Sequence, residues 1–271
     1  MEINNSFLPL IFRVMFTSSG AVAEIIAISI IFSFKVATSF YLIVLFLIVS
    51  IYLWDFLQEY KYKLRKTYSN ILLLLIAVTV IAYFYLVLSF KEYTIIAPLL
   101  LLFVAGMLYN SLFKKITSKL VGFKDLFVVV CWNALIALLL FSKNTDVLPM
   151  VFFLVFVFLR DFINITFCDI KDVATDSKNK LRTFAVTIGM DNLFRTILML
   201  GVVSFLVLWL GVFKGFLPDA AKMLFFPVIL SEILLIYSKK YKNYSPNIVD
   251  LEYFAWLLFV LLGRELRWIY P

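Results

Sequence analysis

The sequence predicts an all-α integral membrane protein, and three observations carry that expectation. Of its 271 residues 64% are hydrophobic, with a mean hydropathy of +1.02, where a soluble domain is only ~45–50% apolar. Apolar runs long enough to cross a bilayer recur throughout the chain. The cations between those runs fall mainly on alternate loops. The expected architecture is a single domain over 1–271, with about nine transmembrane helices around a central apolar cavity.

In chain order the runs cover roughly 7–34, 38–58, 69–90, 94–113, 124–142, 147–168, 192–213, 218–238 and 249–268. The first is long, and Thr17-Ser18-Ser19-Gly20 marks a kink or break within it. It does not read as a signal peptide, because residues 1–6 carry no positive charge and Glu24 and further apolar residues follow the small residues at 21–23. The loops after the second, fourth, sixth and eighth runs hold fifteen Lys and Arg residues, against seven on the opposite side. By the positive-inside rule those loops and the N-terminus are cytoplasmic and the C-terminus is outside. The expected location is the plasma membrane.

Composition removes several function classes. The net charge of +8 suits basic loops at an anionic leaflet, and with so little soluble surface it does not point to nucleic acid. The absence of histidine excludes His-based acid–base catalysis, His metal ligands and a Ser-His-Asp triad. Cys131 and Cys168 form no CxxC signature and no disulfide framework.

The chemistry concentrates where the sixth run ends. There Asp169, Asp172 and Asp176 stand at i, i+3 and i+7, which on a helix places three carboxylates within about 60° of one face. Three close carboxylates repel one another unless a counter-ion binds. Clusters of hard oxygen donors hold Mg²⁺ together with a phosphorylated substrate; the plainer reading is a solvated acidic helix end paired with Lys171, Lys178, Lys180 and Arg182. A second acidic end closes the second run, where Asp55, Glu59 and Lys63 are spaced i, i+4 and i+8. Tyr109, Lys114, Lys115 and Lys124 surround the loop after the fourth run. Ionisable groups also lie inside the spans: Asp161, beside Arg160 and Asn164 and eight residues before Asp169, with Glu24, Asn133 and Glu232 elsewhere. Such groups are functional candidates or satisfied pairs.

The stretch FLRDFINITFCDIKDVATDSKNKLRTFAVTIG, residues 158–189, resembles the second aspartate motif of the UbiA superfamily of intramembrane prenyltransferases. GMLYNSLFKK, residues 106–115, with Lys124 after it, resembles that family's Tyr…Lys loop and following Lys. The order of parts agrees as well, with one acidic motif after the second span and another after the sixth. The first motif departs from the family's pattern: Phe56 stands in place of Arg, Glu59 in place of the middle Asp and Lys63 in place of the last acid. Asn179 stands where the second motif often has Gly.

The resemblance implies a prenyltransferase that moves the prenyl group of an isoprenyl diphosphate, through an allylic cation, to a lipophilic and commonly aromatic acceptor in the lipid bilayer. It implies Mg²⁺ held by Asp55, Glu59, Asp169, Asp172 and Asp176, and diphosphate bound by Lys63, Tyr109, Lys114, Lys124, Lys171 and Arg182. Asp55, Asp169, Asp172 and Asp176 are then the catalytic carboxylates. A terpene cyclase of the same superfamily, which quenches the cation without an acceptor, is the alternative. A transporter is disfavoured, because the acidic groups gather at one membrane face and no paired Gly/Pro-broken helices occur near the midplane.

Overall fold

A computed structural model describes residues 7–60, 66–109 and 113–266, and for Glu59, Tyr60 and Lys114 the backbone alone. The described residues form helices joined by short turns, with no strand among them. The chain divides into two compact units, one of Met1–Val22 with Lys35–Ser111 and one of Ala23–Phe34 with Leu112–Pro271.

The first unit holds the start of α1 (Phe7–Ile31), then α2 (Thr38–Tyr60), α3 (Lys66–Ser89) and α4 (Tyr93–Leu108). Its core gathers Val14, Val49, Leu53, Leu57, Leu72 and Ile76. Polar groups inside it are satisfied locally, as burial requires. Ser50 Oγ donates to Thr79 Oγ1 at 3.0 Å, and the Tyr83 hydroxyl donates to the Leu99 carbonyl at 2.7 Å. Trp54 Nε1 donates to the Met107 carbonyl at 3.1 Å. That carbonyl lies in the last turn of α4, where intrahelical donors run out, so the indole fastens the end of α2 to the end of α4.

The second unit is built from residues 23–31 of α1 with α6 (Phe123–Ser142), α7 (Val147–Cys168), α10 (Met190–Phe213), α11 (Phe225–Tyr241) and α12 (Asn247–Glu265). Short α5 (Lys114–Thr117), α8 (Val173–Lys178) and α9 (Phe184–Ile188) lie in the connections. Ile163, Phe167, Phe194, Ile197, Leu235 and Val249 are the centre of one core.

Among the described residues seven helical stretches are long and apolar enough to cross a membrane. The protein is a multi-pass membrane protein, and seven of the nine expected spans are among those stretches. The fourth run forms α4, a 16-residue apolar helix, and Tyr109 beyond it is still helical. The ninth forms a 19-residue helix that carries Asp250, Glu252, Arg264 and Glu265. Glu252 and Asp250 are buried, so part of that polarity is directed into the protein.

Candidate functional site

The site is assembled where α7 ends and α6 begins. α7 stops at Cys168 and passes into a 3-10 turn over Asp169–Asp172, then into α8. The chain leaves α8 through Lys180, whose φ of 56° is left-handed. The Leu181 N–H donates to the Asp176 carbonyl at 2.9 Å. Arg182 then stitches two segments by its backbone: its N–H donates to the Thr117 carbonyl at 3.1 Å, and its carbonyl accepts from the Gly122 N–H at 2.7 Å. Gly122 has φ of 66°, and a Cβ there would run into the Phe184 ring. Only glycine meets both demands without strain, and the turn delivers Lys124 and Asp125 in the first turn of α6.

Lys124 Nζ is 2.6 Å from Asp169 Oδ1 and 3.9 Å from Asp176 Oδ2. The Asp169 and Asp176 side chains are only 5% and 9% exposed, and Lys124 is 26% exposed, so their attraction is poorly screened. Asp125 lies beside Asp169 and its Oδ2 accepts from the Phe184 N–H at 3.2 Å. Asp169 and Asp176 therefore meet one ammonium, with Asp125 beside Asp169.

The expected acidic face is not formed as a triad. Asp172 is 46% exposed and pairs with Lys171 at 3.8 Å, while Lys124, brought from another helix, draws Asp169 and Asp176 together. A cation between two carboxylates is electrostatically preferable to a third carboxylate beside them. Arg182 Nη1 donates to the Lys119 carbonyl at 3.2 Å. Asp55 and Tyr109 are half-buried in the first unit, near the ends of α2 and α4. Lys63 and the side chains of Glu59 and Lys114 lie outside the described residues. Asp125 is a residue that sequence reasoning passed over. Its signal was available, an acid in the first turn of an apolar helix, where the helix dipole favours negative charge.

Among the described residues no three acidic or thiol groups close around one point as a metal cage. The donor set nevertheless fits Mg²⁺, which needs few carboxylates when waters and phosphates complete its shell. Asp125 and Asp169 share a hydrogen bond at the edge of that set, and carboxyl oxygens are the hard donors such a shell uses.

A second polar constellation lies within the helices of the same unit. Arg160 is fully buried and each of its nitrogens is used. Nε and Nη2 grip Glu252 at 2.7 Å each, Nη1 donates to Glu232 at 2.7 Å and Ser204 at 3.3 Å, and Nη2 also donates to Ser231 at 2.7 Å. Asp161 accepts from the Tyr253 hydroxyl at 2.7 Å and from Asn133 Nδ2 at 3.3 Å. Glu252 and Tyr253 were not legible as members of this network.

Fold and site together define a helical membrane protein with an acidic–basic cluster at one helix end. No protein-family model matches the chain, and no curated protein matches it by sequence. Among solved structures, the chain is similar to the apo structure of a UbiA homolog from Aeropyrum pernix K1, at 12% identity and a TM-score of 0.58, over 93% of this chain and 98% of that one. It is similar also to a digeranylgeranylglyceryl phosphate synthase studied in membranes, at 15% identity and a TM-score of 0.58, over 97% of this chain and 99% of that one. The chain has the UbiA-type fold.

Proposed function

We propose that this protein is a Mg²⁺-dependent prenyltransferase, transferring the prenyl group of an isoprenyl diphosphate to a lipophilic, aromatic acceptor within the membrane. The observation that carries the reading is the convergence of Asp169 and Asp176 on Lys124 at the end of a membrane-spanning helix, in a chain of UbiA-type fold. Asp169, Asp172 and Asp176 would hold the ion. When bound, Mg²⁺ supplies Lewis-acid stabilisation of charge on the leaving diphosphate. Lys124 would offer a point charge to the diphosphate, with Lys114, Lys171 and Arg182 as further partners. The allylic C–O bond breaks with its electron pair passing to diphosphate. The acceptor ring forms the new C–C bond and releases a proton. The basic loops, and with them this site, face the cytoplasm.

Asp172→Asn and Asp176→Asn test the reading. Losing one preorganised charged group of this kind costs ~10²–10³ in turnover, so both variants are expected nearly to abolish Mg²⁺-dependent diphosphate release. Melting without Mg²⁺ is expected to stay near normal in Asp172→Asn, whose carboxylate is 46% exposed, and is measured in Asp176→Asn, which gives up its pairing with Lys124. Full turnover in both variants across a Mg²⁺ series would sink the proposal. Products formed from farnesyl or geranylgeranyl diphosphate alone would instead identify a cyclase.

A further inference from the structure

Lys124 occupies the carboxylates that the proposed metal site needs. Its Nζ lies 2.6 Å from Asp169 Oδ1 and 3.9 Å from Asp176 Oδ2. Those two side chains are only 5% and 9% exposed, so without a cation they would repel one another with little water between them. The third carboxylate is placed differently. Asp172 is 46% exposed and its pairing with Lys171 is loose at 3.8 Å, so water screens it. The ammonium therefore supplies the charge that keeps Asp169 and Asp176 together in a metal-free site.

The backbone under Lys124 is fixed, whereas its side chain is not enclosed. The Gly122 N–H donates to the Arg182 carbonyl at 2.7 Å, and Asp125, the next residue, accepts from the Phe184 N–H at 3.2 Å. Both bonds tie the start of α6 to the segment that follows the aspartates. Lys124 itself is 26% exposed and carries its charge on a flexible four-carbon stem. The ammonium can leave the carboxylates without movement of the helix. A divalent ion gives it reason to leave, since two cations crowded onto the same carboxylates repel at short range. An ammonium displaced from two buried acids needs another anion, and phosphate oxygens accept charge-assisted hydrogen bonds equally well.

We propose that Lys124 is the resident counter-ion of the metal-free site, displaced from Asp169 and Asp176 when Mg²⁺ binds and taken up by the diphosphate. This exchange rests on the Mg²⁺–diphosphate reading of the site and adds an order of binding to it. Free metal binds against the ammonium and is held weakly. Metal and diphosphate together leave every charge with a partner, so they bind as a pair. A site of this kind keeps its carboxylates assembled between turnovers and takes up Mg²⁺ firmly only with substrate.

The test uses the full chain in nanodiscs of zwitterionic lipid, with Mn²⁺ as the probe and its free concentration read by electron paramagnetic resonance. Lys124→Met is expected to bind Mn²⁺ at least about tenfold more tightly than the parent, because the ion no longer displaces a charge-assisted hydrogen bond. Lys119→Met, which removes an exposed cation from the turn before α6, is expected to leave the affinity unchanged. The parent chain gives a second reading that needs no variant. Reductive methylation of Lys124, resolved by mass spectrometry, is expected to speed up several-fold in saturating Mg²⁺ and to slow again when unreactive farnesyl thiolodiphosphate is added. Mn²⁺ binding no tighter in Lys124→Met than in the parent would overturn the exchange, and so would Lys124 labelling that ignores Mg²⁺. Where Lys124→Met does not fold, the labelling alone decides. Diphosphate release, assayed separately on the parent chain, reports on prenyl transfer. Its absence with a metal-responsive Lys124 removes the transfer reading alone, and its presence with an unresponsive Lys124 removes the exchange alone.

Discussion

Arg160 and Glu252 set the energetic scale of single residues in this protein. The pair is closed at 2.7 Å with side chains 0% and 1% exposed, so removing one partner strands a charge in a low-dielectric interior. Breaking such a pair costs ~3–5 kcal/mol, whereas replacing both partners by apolar groups of similar size is often neutral or better. Glu252→Leu is therefore expected to lose about 3–5 kcal/mol of stability, and the double variant Arg160→Met, Glu252→Leu to regain most of it, measured by denaturant unfolding in micelles. Equal losses in the single and double variants would show that the pair contributes nothing beyond volume. The sequence marked Arg160, Asp161 and Glu232 because ions inside a membrane span are conspicuous. Glu252 escaped, since its partner is 92 residues away and spacing carries no information over that distance. Lys124 stood out as a cation in a basic loop, but not as the ammonium that gathers Asp169 and Asp176.

Between elements, α10 meets α11 through a side chain and a gap. A Cβ on Gly201 would collide with the Glu232 carboxylate, which Arg160 holds at 2.7 Å. Exchanging Gly for Ala inside a helix gains up to ~1 kcal/mol of propensity. Overpacking costs ~1–3 kcal/mol, and here Glu232 cannot swing aside without leaving the guanidinium. Gly201→Ala is accordingly expected to destabilise by roughly 1–2 kcal/mol, the net of those two effects. If Glu232→Gln is introduced first, with its weaker hold on Arg160, the same change should cost less. A double-mutant cycle on melting free energies reads that difference, and strict additivity would contradict it. The elements themselves were largely legible, because each long helix follows an apolar run. What hydropathy could not foresee was the 3-10 turn that follows α7.

On the scale of the whole chain, composition determined the fold class and the comparison with solved structures agrees with it. Nearly two-thirds hydrophobic residues leave little choice but helices, whose backbone groups are satisfied within one segment. The UbiA-type fold was legible from one thirty-residue stretch, 158–189, even at identities of 12% and 15% to the solved structures. The site was legible in kind rather than in arrangement. Acidic helix ends and basic loops can be read from order along the chain. Which cation reaches which carboxylate depends on side chains brought from α6, and order along the chain does not specify that.

The network around Arg160 also has a timetable. α7 is synthesised 72 residues before Glu232 and 92 before Glu252. At ~5–20 residues per second the guanidinium waits several seconds, up to roughly 20, for its counter-ions. A lone arginine at the centre of a span costs about 2.5–3.5 kcal/mol to insert. During that wait α7 depends on the neighbouring Asp161, on the translocation machinery or on delayed release into lipid. A nascent chain ending at residue 245, before α12, should therefore hold α7 in the bilayer poorly, as read by glycosylation tags placed on its flanking loops. Arg160→Leu in the same truncated chain should restore insertion. Equally firm insertion of both would mean that biogenesis does not depend on the pairing the finished protein displays.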